Sequence, residues 1–299
     1  MEVEQTAHLR TVRDAIRYAV SAFNRAGLSF GHGTDNAYDE AVYLVLHSLH
    51  LPLNNLEPFL DAALSRTEID EALSLIHERV QKRLPAAYLT KEAWLGEFRF
   101  YVDERVIVPR SHIAELLQEQ LSPWITEPDA INSCIDLCTG SGCLAILLAH
   151  AFPNAAVHAT DISDKAIEVA RRNVSEYGLE NIALHLGDLF GNLTDQYDII
   201  IANPPYVDVK TMAVLPAEYR AEPSLALAAG EDGLDIIRRI INAASAYLTP
   251  NGLLVVEVGR NRPALERAYP GLPFVWLETG AGEDFVFLLT ADDLRDGSR

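Results

Sequence analysis

The chain is poor in cysteine, in positive charge and in long apolar runs, and each shortage removes a class of protein. With only 3 cysteines in 299 residues, a disulfide-stapled secreted fold is excluded and reduced thiols in a cytosol are expected. No stretch approaches the ~18 consecutive apolar residues of a membrane-spanning helix. Met1-Glu2-Val3-Glu4-Gln5 lacks the basic start of a secretory signal. A cytoplasmic protein with no membrane contact is the expectation. Lys and Arg number 24 against 43 Asp and Glu, a formal charge of −19. Such a surface repels phosphate backbones, so direct DNA binding is not expected and a basic protein partner is favoured. Hydrophobic residues make up 49 %, enough for a large core and too many for a disordered chain. At ~150 residues per domain the length allows about two.

Residues 1–90 read as helical. Leu9, Val12, Ile16, Ala19, Val20 and Phe23 recur at three- and four-residue spacing ahead of Gly27. A second helix is expected over 38–49. A third should start at Thr67, with Asp70 reaching back as a capping partner, and end near Leu84 before Pro85. Residues 91–122 then read as a β-hairpin, with strands at 98–102 and 106–108 around Asp103-Glu104-Arg105, followed by a linker helix over 111–121. From 130 to 290 strands and helices alternate. Strands are expected at 134–137, 156–159, 183–186, 197–202, 253–258, 274–277 and 285–289, with helices at 144–152, 164–177, 234–247 and 263–269. This is the pattern of an α/β, doubly wound, largely parallel sheet, its last two strands forming an antiparallel edge. Residues 291–299 read as a polar, frayed tail.

After the first strand of that sheet comes Asp136-Leu137-Cys138-Thr139-Gly140-Ser141-Gly142. Glycines at a strand-to-helix turn let a ligand approach backbone N–H groups closely. About twenty residues on, Asp161 ends the second strand, where a carboxylate can accept from both ribose hydroxyls. Gly187-Asp188-Leu189 follows the third strand, placed to meet a base. This spacing serves NAD and S-adenosylmethionine alike, since Gly140-Ser141-Gly142-Cys143-Leu144-Ala145 also satisfies the loose dinucleotide pattern.

The fourth strand ends in Asn203-Pro204-Pro205-Tyr206. Ligands of open α/β sheets sit outside the carboxyl ends of the strands, at the switch point that the first and fourth strands flank. The Asn203 carboxamide oxygen and the Pro204 carbonyl are two acceptors, held in fixed directions by the prolines. They match the two hydrogens of a planar –NH₂ group on an amide or a nucleobase. Tyr206 offers a flat face to that group and tolerates a nearby sulfonium charge. A dehydrogenase has no use for such a grip. Amide or adenine as the acceptor stays open on these residues.

The loop and the tetrapeptide together resemble the amino-methyltransferases, which include adenine and cytosine DNA enzymes and the HemK-related protein glutamine methyltransferases. Tyr101-Val102-Asp103-Glu104-Arg105-Val106-Ile107-Val108-Pro109-Arg110-Ser111 is similar to the segment before the catalytic domain in the PrmB-type, ribosomal-protein branch. Glu222-Pro223-Ser224-Leu225-Ala226-Leu227-Ala228-Ala229-Gly230-Glu231-Asp232-Gly233-Leu234 and Pro273-Phe274-Val275-Trp276-Leu277-Glu278 are similar to it too, so the resemblance spans about 90–290. In the release-factor branch Pro-Arg typically continues Pro-Glu-Thr-Glu, whereas here Pro109-Arg110 continues Ser111-His112-Ile113-Ala114-Glu115. His112 departs from the proline common there, and Cys138 from the first glycine of the loop, so the Cys138 side chain should be buried or turned from the cofactor.

The resemblance implies a class I S-adenosylmethionine-dependent methyltransferase with a Rossmann-like sheet and a helical substrate-recognition domain. The reaction it implies is N5-methylation of a glutamine on the third large-subunit ribosomal protein, free or in an assembling particle. Asp136, Cys138, Thr139, Gly140, Ser141, Gly142, Asp161, Asp188, Leu189 and Asn203 would hold the cofactor. Asn203, Pro204, Pro205 and Tyr206 would hold the glutamine. Arg110 is expected at the entrance, and the weakly periodic stretch 207–233 reads as a substrate-covering lid containing Glu222. No metal is expected, because Cys134, Cys138 and Cys143 lie off zinc spacing and no ligand completes a site at His47 and His50. The rival readings are an adenine-amino nucleic-acid methyltransferase, a release-factor glutamine methyltransferase, a NAD-dependent oxidoreductase and an inactive ribosome-binding assembly factor.

Overall fold

A computed structural model describes residues 8–296, divided into two units: Met1–Ala93 with Pro216–Ala221, and Trp94–Leu215 with Glu222–Arg299. The first unit is built on three helices, α1 (Val12–Ala26), α2 (Ala37–Ser48) and α3 (Arg66–Lys82), followed by the short α4 (Ala86–Thr90). Thr11 and Asp14 form a capping box that starts α1, and Gly27 ends it in the left-handed region at φ 57°. Helix α3 starts two residues earlier than its Thr67–Asp70 frame predicts. Ser65 and Glu68 make the capping box instead, while Asp70 pairs with Arg66 at 3.1 Å. Val12, Ile16, Phe23, Leu44, Val45 and Ile76 meet in one apolar core.

A distant piece of chain completes this unit. Helix α9 (Ala217–Arg220) brings the Glu218 carboxylate, fully buried, to Arg83 at 3.0 Å and Arg79 at 3.5 Å. The Arg79 Nε also donates to Glu40 at 2.7 Å, and the Ser29 amide donates to Glu218 at 3.2 Å.

Strand pairing after residue 92 differs from the expected hairpin. Strand β2 (Phe98–Phe100) pairs backwards with β1 (Ala93–Leu95) around Gly96, and 106–108 forms no strand. The reason is local: the Asp103 carboxylate accepts from the Arg105 amide at 3.1 Å and its guanidinium at 2.9 Å, curling the chain where a ladder would need it straight. Helix α5 (Ile113–Gln118) is shorter than the predicted linker helix.

The main sheet has seven strands: β3 (Ser133–Leu137), β4 (Ala156–Asp161), β5 (Ile182–Leu186), β6 (Tyr197–Ala202), β7 (Leu248–Glu257), β8 (Val275–Thr279) and β9 (Gly282–Thr290). Their order is β5-β4-β3-β6-β7-β9-β8, with β9 antiparallel to β7 and β8 and the others parallel. This is the class I methyltransferase arrangement that the resemblance implies. Helices α6 (Cys143–Ala151), α7 (Asp164–Tyr177), α10 (Asp235–Tyr247) and α11 (Arg262–Ala268) follow their strands. Ile199, Ile200, Ile201 and Ala202 are fully buried, as a central parallel strand requires.

The tail expected to fray is helix α12 (Ala291–Asp296), capped by Thr290 with Asp293 and burying Ala291 and Leu294; residues 297–299 lie outside the described residues. The weakly periodic stretch after Tyr206 is also structured. It holds the short helix α8 (Val209–Val214), α9 and a turn at Ser224–Ala226, and its ends are tied by the Val207 amide to Leu227 at 2.8 Å and the Ala229 amide to Val207 at 2.9 Å. Among the described residues no helix is long and apolar enough to cross a membrane.

Candidate active site

At the end of β3 the chain turns into α6 through positive φ at Cys138 (59°), Gly140 (56°) and Gly142 (79°). A Cβ on Gly142 would lie 3.1 Å from that of Ala170, tighter than an ordinary contact, and its φ of 79° is strained for other residues, so glycine suits the approach of the loop to α7. A Cβ on Gly140 would meet nothing within 4 Å: the loop presents bare backbone to open space. Asp136 is buried beneath the loop and accepts from the Thr139 hydroxyl at 2.5 Å. Burial pushes its carboxyl up to about 7. The Thr139 amide donates to the Thr160 carbonyl at 2.9 Å, fastening the loop to β4.

Asp161, the last residue of β4, uses both carboxylate oxygens. One accepts from the Gly140 amide at 2.9 Å and the other from the Ser163 amide at 2.9 Å, while burial raises its carboxyl above the usual range. Register does the rest. Leu137 pairs with Ala202, so Cys138 and Asn203 emerge side by side at adjacent strand ends.

A cleft opens there, walled by Cys138, Gly140, Asp161, Asp188, Leu189, Asn203 and Pro205, with Arg105, Ile236 and Arg239 among its other residues. Sequence reasoning found the first seven and missed the last three. Asp188 does not stand alone, since Arg239 donates to it at 2.8 Å. Cys138 is half-buried and lines the cleft, so its side chain is not turned away from it as expected, and partial burial drives its thiol well above its ordinary range. Asp136, Thr139, Ser141 and Gly142 build the loop from behind without lining the cleft.

Arg110 and Glu222 are brought together, but with each other. Arg110 meets the fully buried Glu222 carboxylate at 2.5 and 2.8 Å, and the Val108 amide donates to it at 2.9 Å. The pair ties the segment before α5 to the one after α9, so the carboxylate expected in a substrate lid is engaged internally.

Pro204 is buried and Asn203 half-buried. The Tyr206 hydroxyl donates to Glu257 at 3.2 Å, and Glu257 also accepts from the Ser111 hydroxyl at 2.7 Å and the His112 amide at 2.9 Å. One edge of the ring lies over Gly259, where a Cβ would stand 2.7 Å from Tyr206 Cε2. Asn261 Nδ2 donates to the Tyr206 carbonyl at 2.7 Å. Sequence reasoning missed Glu257. Its signal was a carboxylate inside the apolar run Leu253-Leu254-Val255-Val256-Glu257-Val258.

A family model described as the methyltransferase small domain matches residues 114–217. The ribosomal protein uL3 glutamine methyltransferase of Neisseria gonorrhoeae is 57 % identical over 287 residues, covering 96 % of this chain and 96 % of its own. That of Burkholderia pseudomallei is 58 % identical over 294 residues, covering 95 % and 96 %. The chain belongs to the uL3 glutamine methyltransferase family. Similarity to these uL3 glutamine methyltransferases takes in the helical unit as well as the sheet, beyond the 90–290 stretch legible as a resemblance. Among solved structures, the 16S rRNA N2 G1207 methyltransferase of T. thermophilus, in complex with AdoMet and guanosine, is 19 % identical with a TM-score of 0.47, covering 67 % of this chain and 49 % of that one.

Proposed function

We propose that this chain methylates the side-chain amide nitrogen of a glutamine in ribosomal protein uL3, with S-adenosylmethionine as methyl donor. The observation that carries the reading is the placement of Asn203 beside Cys138 at adjacent strand ends, at the mouth of the cleft. The residues present fit the cofactor. Gly140 leaves open space where a ligand can lie against backbone, and Asp161 stands at the cleft wall with acceptor capacity for ribose hydroxyls. When bound, the cofactor supplies a methyl group already activated by its sulfonium.

The chain's own residues supply orientation. Asn203 Oδ1 and the Pro204 carbonyl accept the two hydrogens of the glutamine –NH₂, drawing electron density to nitrogen and aiming its lone pair. Tyr206 packs its flat face on the amide. An amide nitrogen is a weak nucleophile, so placement and electrostatics are the main contribution. The charge of −19 favours a basic ribosomal protein over nucleic acid. A cytoplasmic site of action follows from that substrate.

The test is methyl-labelled S-adenosylmethionine offered with uL3, with uL3 carrying glutamate at each glutamine in turn, and with DNA. Label is expected in uL3 and lost in one glutamate variant. Label found only in DNA would overturn the reading in favour of adenine.

A further inference from the structure

Glu257 is 2 % exposed, yet nothing in the proposed grip on glutamine uses it directly. A carboxylate taken out of water is costly unless its lone pairs are filled. Here three donors converge on it, from Ser111, His112 and Tyr206. Its position is equally specific. Ala202 pairs with Val256, so Glu257 lies opposite Asn203 at the next strand end. Two residues on, Gly259 lets the Tyr206 ring rest on bare backbone, and Asn261 holds the Tyr206 carbonyl. The ring is therefore held at three points by one stretch of chain: hydroxyl, edge and backbone.

We infer that Glu257 is a positioning residue for the transfer, fixing the plane of the Tyr206 ring on which the glutamine amide is aligned. The inference rests on the proposed function and deepens it. A second consequence concerns the phenol itself. Its proton is committed to Glu257, and burial beside that carboxylate drives the Tyr206 phenol well above its ordinary range. Tyr206 therefore serves as a surface.

Glu257→Gln keeps the volume and one acceptor but puts an –NH₂ where a donor now points. Its kcat for uL3 methylation should fall roughly 10- to 100-fold, the scale of a small misplacement of a reacting group, while cofactor Kd stays near the parent's and the melting temperature drops by only a few degrees, the scale of one unsatisfied buried donor. Tyr206→Phe removes the hydroxyl alone and should lower kcat in the same range. The double variant should be no worse than the weaker single, because both break one link. Unchanged kcat in Glu257→Gln, or multiplying losses in the double, would overturn the inference. Should Glu257→Gln not fold, Ser111→Ala replaces it in the same cycle with Tyr206→Phe. A parent protein that leaves uL3 unlabelled overturns the proposed function; a labelling parent with an unimpaired Glu257→Gln overturns only the positioning role.

Discussion

The Gly140 amide donates to the Asp161 carboxylate at 2.9 Å, so the acid at the end of one strand holds the glycine loop at the end of the next. Removing it takes away a loop tether as well as a cofactor acceptor. A hydrogen bond to a charged group contributes about 1.5–3 kcal/mol. Asp161→Ala should therefore raise the cofactor Kd by ~10- to 100-fold, read by calorimetry. The kcat at saturating cofactor should drop far less. An unchanged Kd would show that the carboxylate serves the loop alone.

Asn203→Ala probes the other side of the cleft. The substitution deletes one of two acceptors proposed for the amide and leaves Gly140 and Asp161 untouched. Loss of one preorganised polar contact in a reaction site costs ~10²- to 10³-fold in kcat. Single-turnover transfer should fall by that order with cofactor Kd within about two-fold of the parent. Equal loss in both quantities would assign Asn203 to cofactor binding only.

The legible parts of this molecule are those where neighbours in sequence decide the outcome. Ile199-Ile200-Ile201-Ala202 reads as a buried strand because its periodicity is absent and its length right, and it is one. The loop from Cys138 to Gly142 and the acid at Asp161 read as a ligand site because glycine conformations and strand ends are local facts. Competing local signals were harder. Ser65–Glu68 and Thr67–Asp70 both resemble a capping frame, and the one that forms is the first, whose Glu is the residue a capping box prefers. The curl at Asp103 defeated the strand expected from the apolar run Val106-Ile107-Val108. What sequence reasoning could not supply is long-range pairing. Glu218 lies 139 positions from Arg79 in number and beside it in space, and Glu222 is separated from Arg110 by 112. Nothing in either neighbourhood announces its partner.

That buried cluster makes its own prediction. Arg79 and Glu40 are 0 % and 1 % exposed and 2.7 Å apart, and burial holds the Glu40 carboxyl above its usual range against the pull of Arg79. Breaking a buried pair from one side leaves an uncompensated charge and costs about 3–5 kcal/mol. Glu218 shares Arg79 and should keep the loss toward the lower end. Glu40→Ala should weaken hydrogen-exchange protection in α1, α2 and α3 while protection in β3, β6 and β7 stays near the parent's. Uniform loss across all six elements would mean that the two units unfold together.

Asp136 carries a pH signature of opposite sign to that of an ion-paired carboxylate. In the unfolded chain its proton leaves near pH ~3.9; in the folded protein burial holds it to about 7. Between those values the folded state binds more protons, so stability falls as pH rises across that window and levels off above it. Asn at this position stays neutral throughout, and its amide oxygen can still accept from the Thr139 hydroxyl. The melting temperature of Asp136→Asn, measured against the parent without cofactor, should therefore gain more at pH 8 than at pH 5. A gain of equal size at both, or a larger one at pH 5, would mean that Asp136 is already ionised in the folded protein at pH 5 and that the loop above it stabilises the charge.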